Sequence, residues 1–236
     1  MSEIAQAPGS DVSERRFDEH YREPATLRDG TAVTMRLVRA DDRSLLERGF
    51  ERLSDRSRYY RFFTAKPRLT GAEARYLTDV DGENHFAIGA STIGADGAEQ
   101  GLGVARFIRL EGEPDVAEAA VTVLDEMQGK GLGCLLLLRL IAAARERKVR
   151  AFRCWALAEN HDALTLFHEL FPRWTEHVEG HEVVIDAPLP EVPWNLVPAE
   201  RPREDPLYRL LRHAASGALK LLGFTRPVPD EHDGTT

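Results

Sequence analysis

The chain has 236 residues, of which 42% are hydrophobic and 30% charged, and its 31 Lys+Arg against 39 Asp+Glu give a net charge of −8. The hydrophobic content excludes a wholly disordered chain, and two cysteines are too few for a disulfide scaffold or a four-cysteine zinc site. Net acidity argues against nucleic-acid binding, and neither a secretory signal nor a membrane-spanning run is present. We therefore expect a cytoplasmic enzyme or ligand-binding protein with no membrane or nucleic-acid partner.

Residues 1–24 are polar and charged without apolar periodicity, which predicts a flexible N-terminal arm. The turn pair Asp29-Gly30, followed by alternating apolar residues, indicates a β-hairpin. Three short helices are then expected, because good N-cap residues precede apolar runs at Asp41, Ser54 and Thr70.

The middle of the chain changes character, because strand-like runs separated by Gly- and Asp-rich turns follow one another. These strands are expected at residues 85–92, 103–110 and 116–124. Then come a glycine-rich loop, an apolar helix to about Lys148, a strand at 151–157, a helix at 160–170 and a hairpin at Gly180. This order predicts an α+β (mixed α/β) domain over residues 25–187, with helices flanking a mixed sheet.

The C-terminal part reads differently. Six prolines lie between residues 188 and 206, which predicts an extended connector. Residues 207–223 then have the spacing of an amphipathic helix with a single apolar stripe, and residues 224–236 read as a flexible tail. Because the stripe needs a partner, the helix is expected to dock on its own domain or to form a homodimer.

The chemistry is expected in the loop of residues 128–133, Gln-Gly-Lys-Gly-Leu-Gly, which lies between a strand and a long helix. Glycines let backbone N–H groups converge on one point, and a helix N-terminus adds unpaired donors with partial positive charge. Such a loop suits a pyrophosphate. A dinucleotide fingerprint fails because leucine replaces its third glycine, and a P-loop fails because Gly131 follows Lys130.

The pattern Gln-x-x-Gly-x-Gly between a strand and a helix resembles the acyl-CoA loop of the GNAT superfamily of N-acetyltransferases. The next strand, residues 151–157, and the segment Glu159-Asn160-His161-Asp162-Ala163 extend the resemblance over residues 26–187. The stretch 52–63 is similar to the acetyltransferase domain of bacterial Pat-type protein lysine acetyltransferases. The resemblance implies a sheet of about seven mostly antiparallel strands, splayed at the acyl-CoA site.

The resemblance also implies which residues bind acetyl-CoA. Its pantetheine arm would pair with the strand Val121-Thr122-Val123, and a backbone N–H of this strand would polarise the thioester carbonyl. The pyrophosphate would meet the N–H groups of Gln128, Gly129, Lys130, Gly131, Leu132 and Gly133, with Lys130 as an ion partner. Asn160 matches a family asparagine near the CoA arm. The alternative is that residues 129–133 form only a flexible turn.

Glu118 lies ten residues before Gln128 on the same strand, where a glutamate is the general base in Pat-type domains. A lysine amine, with a pKa of about 10.4, must lose a proton before it attacks a thioester. The alternative is an exposed strand glutamate, as we expect for Glu111, Glu113 and Glu126.

One departure from the family is Phe167, which stands where many members have a tyrosine that protonates the departing thiolate. Because a thiol pKa of about 8.5 makes thiolate a tolerable leaving group, activity is still expected. His161 and His168 could act as a secondary acid. Cys134 and Cys154 are expected to be buried, and no metal site is expected.

The sequence therefore predicts an acetyl-CoA-dependent N-acetyltransferase that uses direct attack in a ternary complex, with a protein lysine as acceptor. Three alternatives stay open: an enzyme that acetylates small amines, a non-catalytic acyl-CoA sensor suggested by Phe167, and an assembly module built on the helix at 207–223.

Overall fold

The computed structural model describes residues 15–193, all of which belong to one unit of the chain, residues 1–198. Its eight strands form a single mixed sheet in the order β1-β2-β3-β4-β5-β6-β8-β7. The strands are β1 (Arg22–Thr26), β2 (Ala32–Leu37), β3 (His85–Ile93), β4 (Glu99–Leu110), β5 (Glu113–Val123), β6 (Ala151–Leu157), β7 (Thr175–Glu179) and β8 (Glu182–Pro188). All neighbouring strands are antiparallel except β5 and β6, which are parallel. The predicted α+β class is confirmed.

Five helices accompany the sheet: α1 (Arg43–Glu51), α2 (Asp55–Phe62), α3 (Gly71–Thr78), α4 (Leu132–Glu146) and α5 (His161–Leu170). Ser54 and Thr70 cap α2 and α3, and Thr70 forms a capping box with Glu73, as their sequences predict. The expected cap at Asp41 falls instead in a short 3-10 turn, so that α1 begins after Asp42.

Helix α4 provides the centre of the core, because its leucines point to every side of the helix and all of them are buried. It packs on the sheet face that carries Phe86, Phe107 and Ala119. Helix α1 packs on the other face of β4, where Leu45 lies against Gly101. A bulge opposite Ala90 and Ser91 shifts the register of β4 at this point.

The N-terminal residues differ from the expected flexible arm. Phe17 is fully buried and Tyr21 is 8% exposed, and their rings lie 4.7 Å apart in the core. The buried guanidinium of Arg147 donates to the Phe17 carbonyl at 2.7 Å. Packing therefore begins before the predicted boundary at residue 25. The connector and helix predicted at 188–206 and 207–223 lie mostly or wholly outside the described residues.

Candidate active site

The sheet opens between β5 and β6. These strands pair over only three positions, Val116–Ala151, Ala117–Phe152 and Glu118–Arg153, and β6 then continues along β8 alone. On the β6 side, the edge of β5 beyond Ala119 therefore has no strand partner within residues 15–193. An extended chain could add to this edge through backbone hydrogen bonds, as in β-augmentation. The edge includes Val121, Thr122 and Val123, the predicted pantetheine residues.

The loop after β5 presents free backbone donors at the start of α4. Gly129 and Gly131 have φ values of +73° and +92°, which only glycine adopts easily, and no side chain caps the helix. The N–H groups of residues 129–133 donate to no described residue, whereas the Gln128 N–H donates to the Asp125 carbonyl at 3.2 Å. Five converging donors with the positive end of a helix dipole can hold a pyrophosphate.

Lys130, the predicted ion partner of the pyrophosphate, already has a carboxylate partner. Its Nζ lies 2.8 Å from Asp29 of the β1–β2 turn, and the hydrogen bond from Lys130 lowers the pKa of Asp29. The Arg28 backbone N–H donates to the Lys130 carbonyl at 3.3 Å, and the Arg28 side chain lies beside Gly131. The hairpin therefore supports the loop and places a second cation, Arg28, next to it.

A second set of contacts fixes the loop to helix α2. The Asp125 carboxylate accepts from the Ser54 N–H, the Ser54 hydroxyl and the Ser57 hydroxyl at 2.6–2.9 Å. Burial alone would raise the pKa of Asp125, but these hydrogen bonds lower it below its usual value. The Gln128 amide donates to Ser57 Oγ at 3.3 Å and to the Val123 carbonyl at 3.2 Å. Gln128 therefore joins strand, loop and helix through its side chain.

Glu118 stands at the point where the sheet opens, because it is the last β5 residue that pairs with β6. Its register partner on β4 is Ile108, and Ala120 and Thr122 follow on the same face opposite Arg106 and Val104. This face looks toward α1–α3, and the half-buried Glu118 interacts electrostatically with Arg61 of α2. The predicted base thus lies beside the unpaired edge of β5, on the side of the sheet away from α4.

Between α1–α3 and the sheet, on the same side of the sheet as Glu118, is a cavity of about 110 Å³ with mostly apolar walls. Arg36, Arg61, Arg106 and Thr122 are among its lining residues. The sequence analysis missed the two arginines Arg61 and Arg106, because only the fold brings α2 over β4. The alternation of β4 could have placed Arg106 on the inner face, but no sequence signal indicated the cavity.

The remaining candidates have structural partners. Asn160 caps helix α5, where its Oδ1 accepts from the Ala163 N–H at 3.2 Å, so that its side-chain NH₂ is left for a ligand. Phe167 is 4% exposed and packs in the core against Phe171. Cys154 is fully buried, which raises the pKa of its thiol, whereas Cys134 is only half-buried.

Both histidines considered as a secondary acid belong to α5. His168 pairs with Glu176 at 3.0 Å and stacks on Trp174, and His161 is exposed at the start of α5. No group of three metal-binding side chains occurs within residues 15–193. In the same part of the chain, no helix is long and apolar enough to span a bilayer.

Comparison with known proteins identifies the family. The family model for the acetyltransferase (GNAT) family matches residues 45–171. The acetyltransferase PA5475 of Pseudomonas aeruginosa is 31% identical over 152 residues, which cover 64% of this chain and 78% of that protein. The acetyltransferase Pat of Mycolicibacterium smegmatis is 30% identical over 169 residues, which cover 72% of this chain but only 49% of that protein.

A solved structure supports the same family assignment. The crystal structure of the GNAT domain of S. lividans PAT matches with a TM-score of 0.66 and 30% identity, covering 73% of this chain and 99% of that domain. Together with the open sheet and the glycine loop, these matches support acetyl-CoA as co-substrate. The chain belongs to the GNAT family and is an N-acetyltransferase.

Proposed function

We propose that the enzyme acetylates lysine side chains of proteins, with Glu118 as general base. The observation that carries the proposal is the place of Glu118, at the end of the β5–β6 pairing and beside the unpaired edge of β5. The acceptor class follows from the similarity to Pat acetyltransferases, which covers 72% of this chain.

Acetyl-CoA, when bound, supplies a thioester carbonyl as electrophile and a thiolate as leaving group. The free edge of β5 would hold the pantetheine arm, the N–H groups of residues 129–133 would hold the pyrophosphate, and the side-chain NH₂ of Asn160 would contact the arm. Glu118 takes the proton that the lysine amine must lose, directly or through a water. The amine nitrogen forms the new bond to the acetyl carbon as the carbon–sulfur bond breaks.

Helix α2 supplies one wall of the groove for the acceptor. The Tyr60 hydroxyl donates to the Glu159 carbonyl at 3.5 Å, so α2 reaches across the opening of the sheet to the β6–α5 loop. Phe62 contacts Phe50 at the base of the same wall. An acceptor lysine that enters beside this wall would approach Glu118 from the face away from α4.

The test compares Glu118→Gln with the wild type, using lysine-containing proteins and small amines as acceptors. Glu118→Gln should lower kcat by about 100-fold or more, while the Kd for CoA stays unchanged. Glu111→Gln is the control, because Glu111 is an exposed turn residue. Undiminished turnover in Glu118→Gln would remove the base role.

The acceptor panel decides among the remaining alternatives. Transfer only to small amines would make the enzyme a small-molecule N-acetyltransferase. CoA binding without turnover on any amine would select the acyl-CoA sensor.

A further inference from the structure

The cavity between α1–α3 and the sheet carries positive charge that no ion pair within residues 15–193 neutralises. Of the three arginines that line it, Arg36 is neutralised twice, by Asp42 at 2.7 Å and by Glu99 at 3.1 Å. Neither Arg61 nor Arg106 forms an ion pair with any residue between 15 and 193. The nearby carboxylate of Glu118 interacts with Arg61 only over a longer range.

Arg61 and Arg106 are close enough to repel each other. Burial, reinforced by the positive charge of Arg61, lowers the pKa of Arg106 to about 9. Arg106 is 4% exposed and donates to the Leu77 carbonyl and to His85, each at 3.0 Å. Arg61 donates no hydrogen bond to the described part of the chain. Arg106 is removed from water without an anion, which is costly, whereas the nearby Arg61 is half-buried with its guanidinium over the Phe62 ring. An anion between the two guanidinium groups would remove most of the cost at Arg106.

The apolar walls of the cavity indicate that the anion also has an aliphatic part. Aliphatic and aromatic side chains make up most of the lining, including Leu45, Leu46, Phe50, Phe62 and Leu77 from α1–α3 and Leu53 from the turn between α1 and α2. A free phosphate or sulfate would leave these walls in contact with water. A short aliphatic chain with a terminal carboxylate matches both the arginines and the apolar walls. The volume of about 110 Å³ accommodates only a few carbon atoms.

The cavity also borders the strand proposed to hold the pantetheine arm. Thr122 of β5 is one of its lining residues, and Arg106 lies opposite Ala120 in the register of β4 and β5. An acyl group carried on that edge could therefore enter the cavity past Thr122. A succinyl group extends beyond the methyl carbon of an acetyl group by one CH₂ and a terminal carboxylate.

We propose that this cavity binds an aliphatic chain ending in a carboxylate, held by Arg61 and Arg106, and that the enzyme therefore takes dicarboxylic acyl donors such as succinyl-CoA. The proposal rests on the proposed acyl-CoA site for its donor. The bond changes are those of acetyl transfer: the acyl carbon passes from sulfur to the acceptor nitrogen, and Glu118 takes the amine proton. The distal carboxylate stays unchanged.

The experiment measures binding to the full chain by calorimetry, with succinyl-CoA and butyryl-CoA as a pair that differs in carboxylate against methyl. Succinyl-CoA should bind the wild type about tenfold more tightly or better, as expected for a charged hydrogen bond. The ratio should fall to about one in Arg61→Gln. It should persist in Arg75→Gln, the matched control, because Arg75 is exposed on α3 and does not line the cavity.

A second measurement tests whether the carboxylate must belong to an acyl-CoA or can come from a free carboxylic acid. If free succinate raises the Tm of the wild type and of Arg75→Gln but not of Arg61→Gln, the cavity also accepts a free carboxylic acid. Chloride at matched ionic strength is the control for a general salt effect on Tm. Arg106→Gln serves as the second variant if Arg61→Gln does not fold by circular dichroism.

Equal affinity of the wild type for both acyl-CoAs, together with no Arg61-dependent effect of succinate, would overturn the proposal. A wild type that binds no CoA compound at all would instead contradict the proposed function. In that case the succinate measurement alone decides whether the cavity binds a carboxylate.

Discussion

Gly131 turns the chain from the loop into α4 with a φ of +92°, and a Cβ there would lie 3.3 Å from Arg28 Nε. We expect Gly131→Ala to lower the free energy of unfolding by about 1 kcal/mol. It should also weaken CoA binding by about tenfold, because a displaced N–H loses a charged hydrogen bond. Chemical denaturation and calorimetry with CoA measure the two effects.

Gly112→Ala is the control for this change, because Gly112 has a similar φ of +80° but lies in the turn between β4 and β5. The control should lose stability and keep its affinity for CoA. If both variants bind CoA as the wild type does, the glycine loop is not the pyrophosphate site.

At the scale of single residues, the sequence predicted what depends on local spacing. The glycine-rich loop could be recognised because a strand, a turn and a helix follow one another, whereas the role of Glu118 comes from the resemblance to Pat-type domains and stays a prediction. The pairing of Lys130 with Asp29 could not be recognised, because it joins residues a hundred positions apart. The hydrogen bond from the Gln128 N–H to the Asp125 carbonyl removes one of the predicted pyrophosphate donors. It depends on backbone geometry, which residue spacing alone does not reveal.

At the scale of elements, β1 is fixed to α4 by a buried ion pair. Arg139, 1% exposed within the apolar helix, donates to Glu23 at 2.8 and 2.6 Å, and the Tyr21 hydroxyl donates to the same carboxylate at 2.5 Å. Burial tends to raise the pKa of Glu23, but the hydrogen bonds from Arg139 and Tyr21 outweigh it and lower the pKa. The pair therefore stabilises the fold while Glu23 is ionised.

Because its pKa is lower in the folded state, Glu23 contributes stability above its unfolded pKa, and this contribution is lost as the pH falls through the folded value. Glu23→Gln should cost about 1–3 kcal/mol at pH 7, because it removes the carboxylate to which Arg139 and Tyr21 both donate. It should also flatten the decline of stability below about pH 4.5. Urea unfolding over a pH series measures both effects.

Glu19→Gln provides the comparison, since the Glu19 side chain is 85% exposed. A pH profile of Glu23→Gln parallel to that of the wild type would contradict the assigned role of the pair.

The same pair explains why the extent of the N-terminal arm was predicted poorly. Phe17 and Tyr21 are isolated aromatic residues in a charged stretch, where no period of 2 or 3.6 indicates burial. Their burial depends on Arg139, Glu146 and Arg147, which are more than a hundred residues away. By contrast, the middle strands and α4 have strong local patterns, and their predicted positions agree with the structure to within a few residues.

At the scale of the whole domain, a ligand bound where the sheet opens is expected to stabilise the folded state. The β1–β5 and β6–β8 parts of the sheet are joined by only three residue pairs between β5 and β6. A ligand held on the β5 edge and on the α4 loop therefore adds contacts where the sheet is joined most weakly. A ligand at 100 times its Kd stabilises the folded state by about 2.7 kcal/mol. For a domain of this size, CoA should raise the Tm by roughly 5–10 °C.

The rise in Tm caused by CoA also tests the proposed division of the chain into a catalytic domain and a C-terminal helix. A cut after Ala187 would remove the end of β8 and Leu189, which is 7% exposed in the core, so Pro193 is the better end point. The chain ending at Pro193 should keep the full rise of Tm with CoA. If the helix at 207–223 forms a homodimer, as its apolar stripe suggests, light scattering should give the mass of a monomer for this chain and of a dimer for the 236-residue chain.

A chain ending at Gly223 keeps the helix but lacks the last residues, and it should retain both the dimer mass and the response to CoA. Loss of the response in the chain ending at Pro193 would mean that residues beyond it complete the acyl-CoA site. An unchanged mass would show that the stripe docks within its own subunit or does not act in assembly, because an amphipathic helix that holds two chains together cannot be removed without separating them.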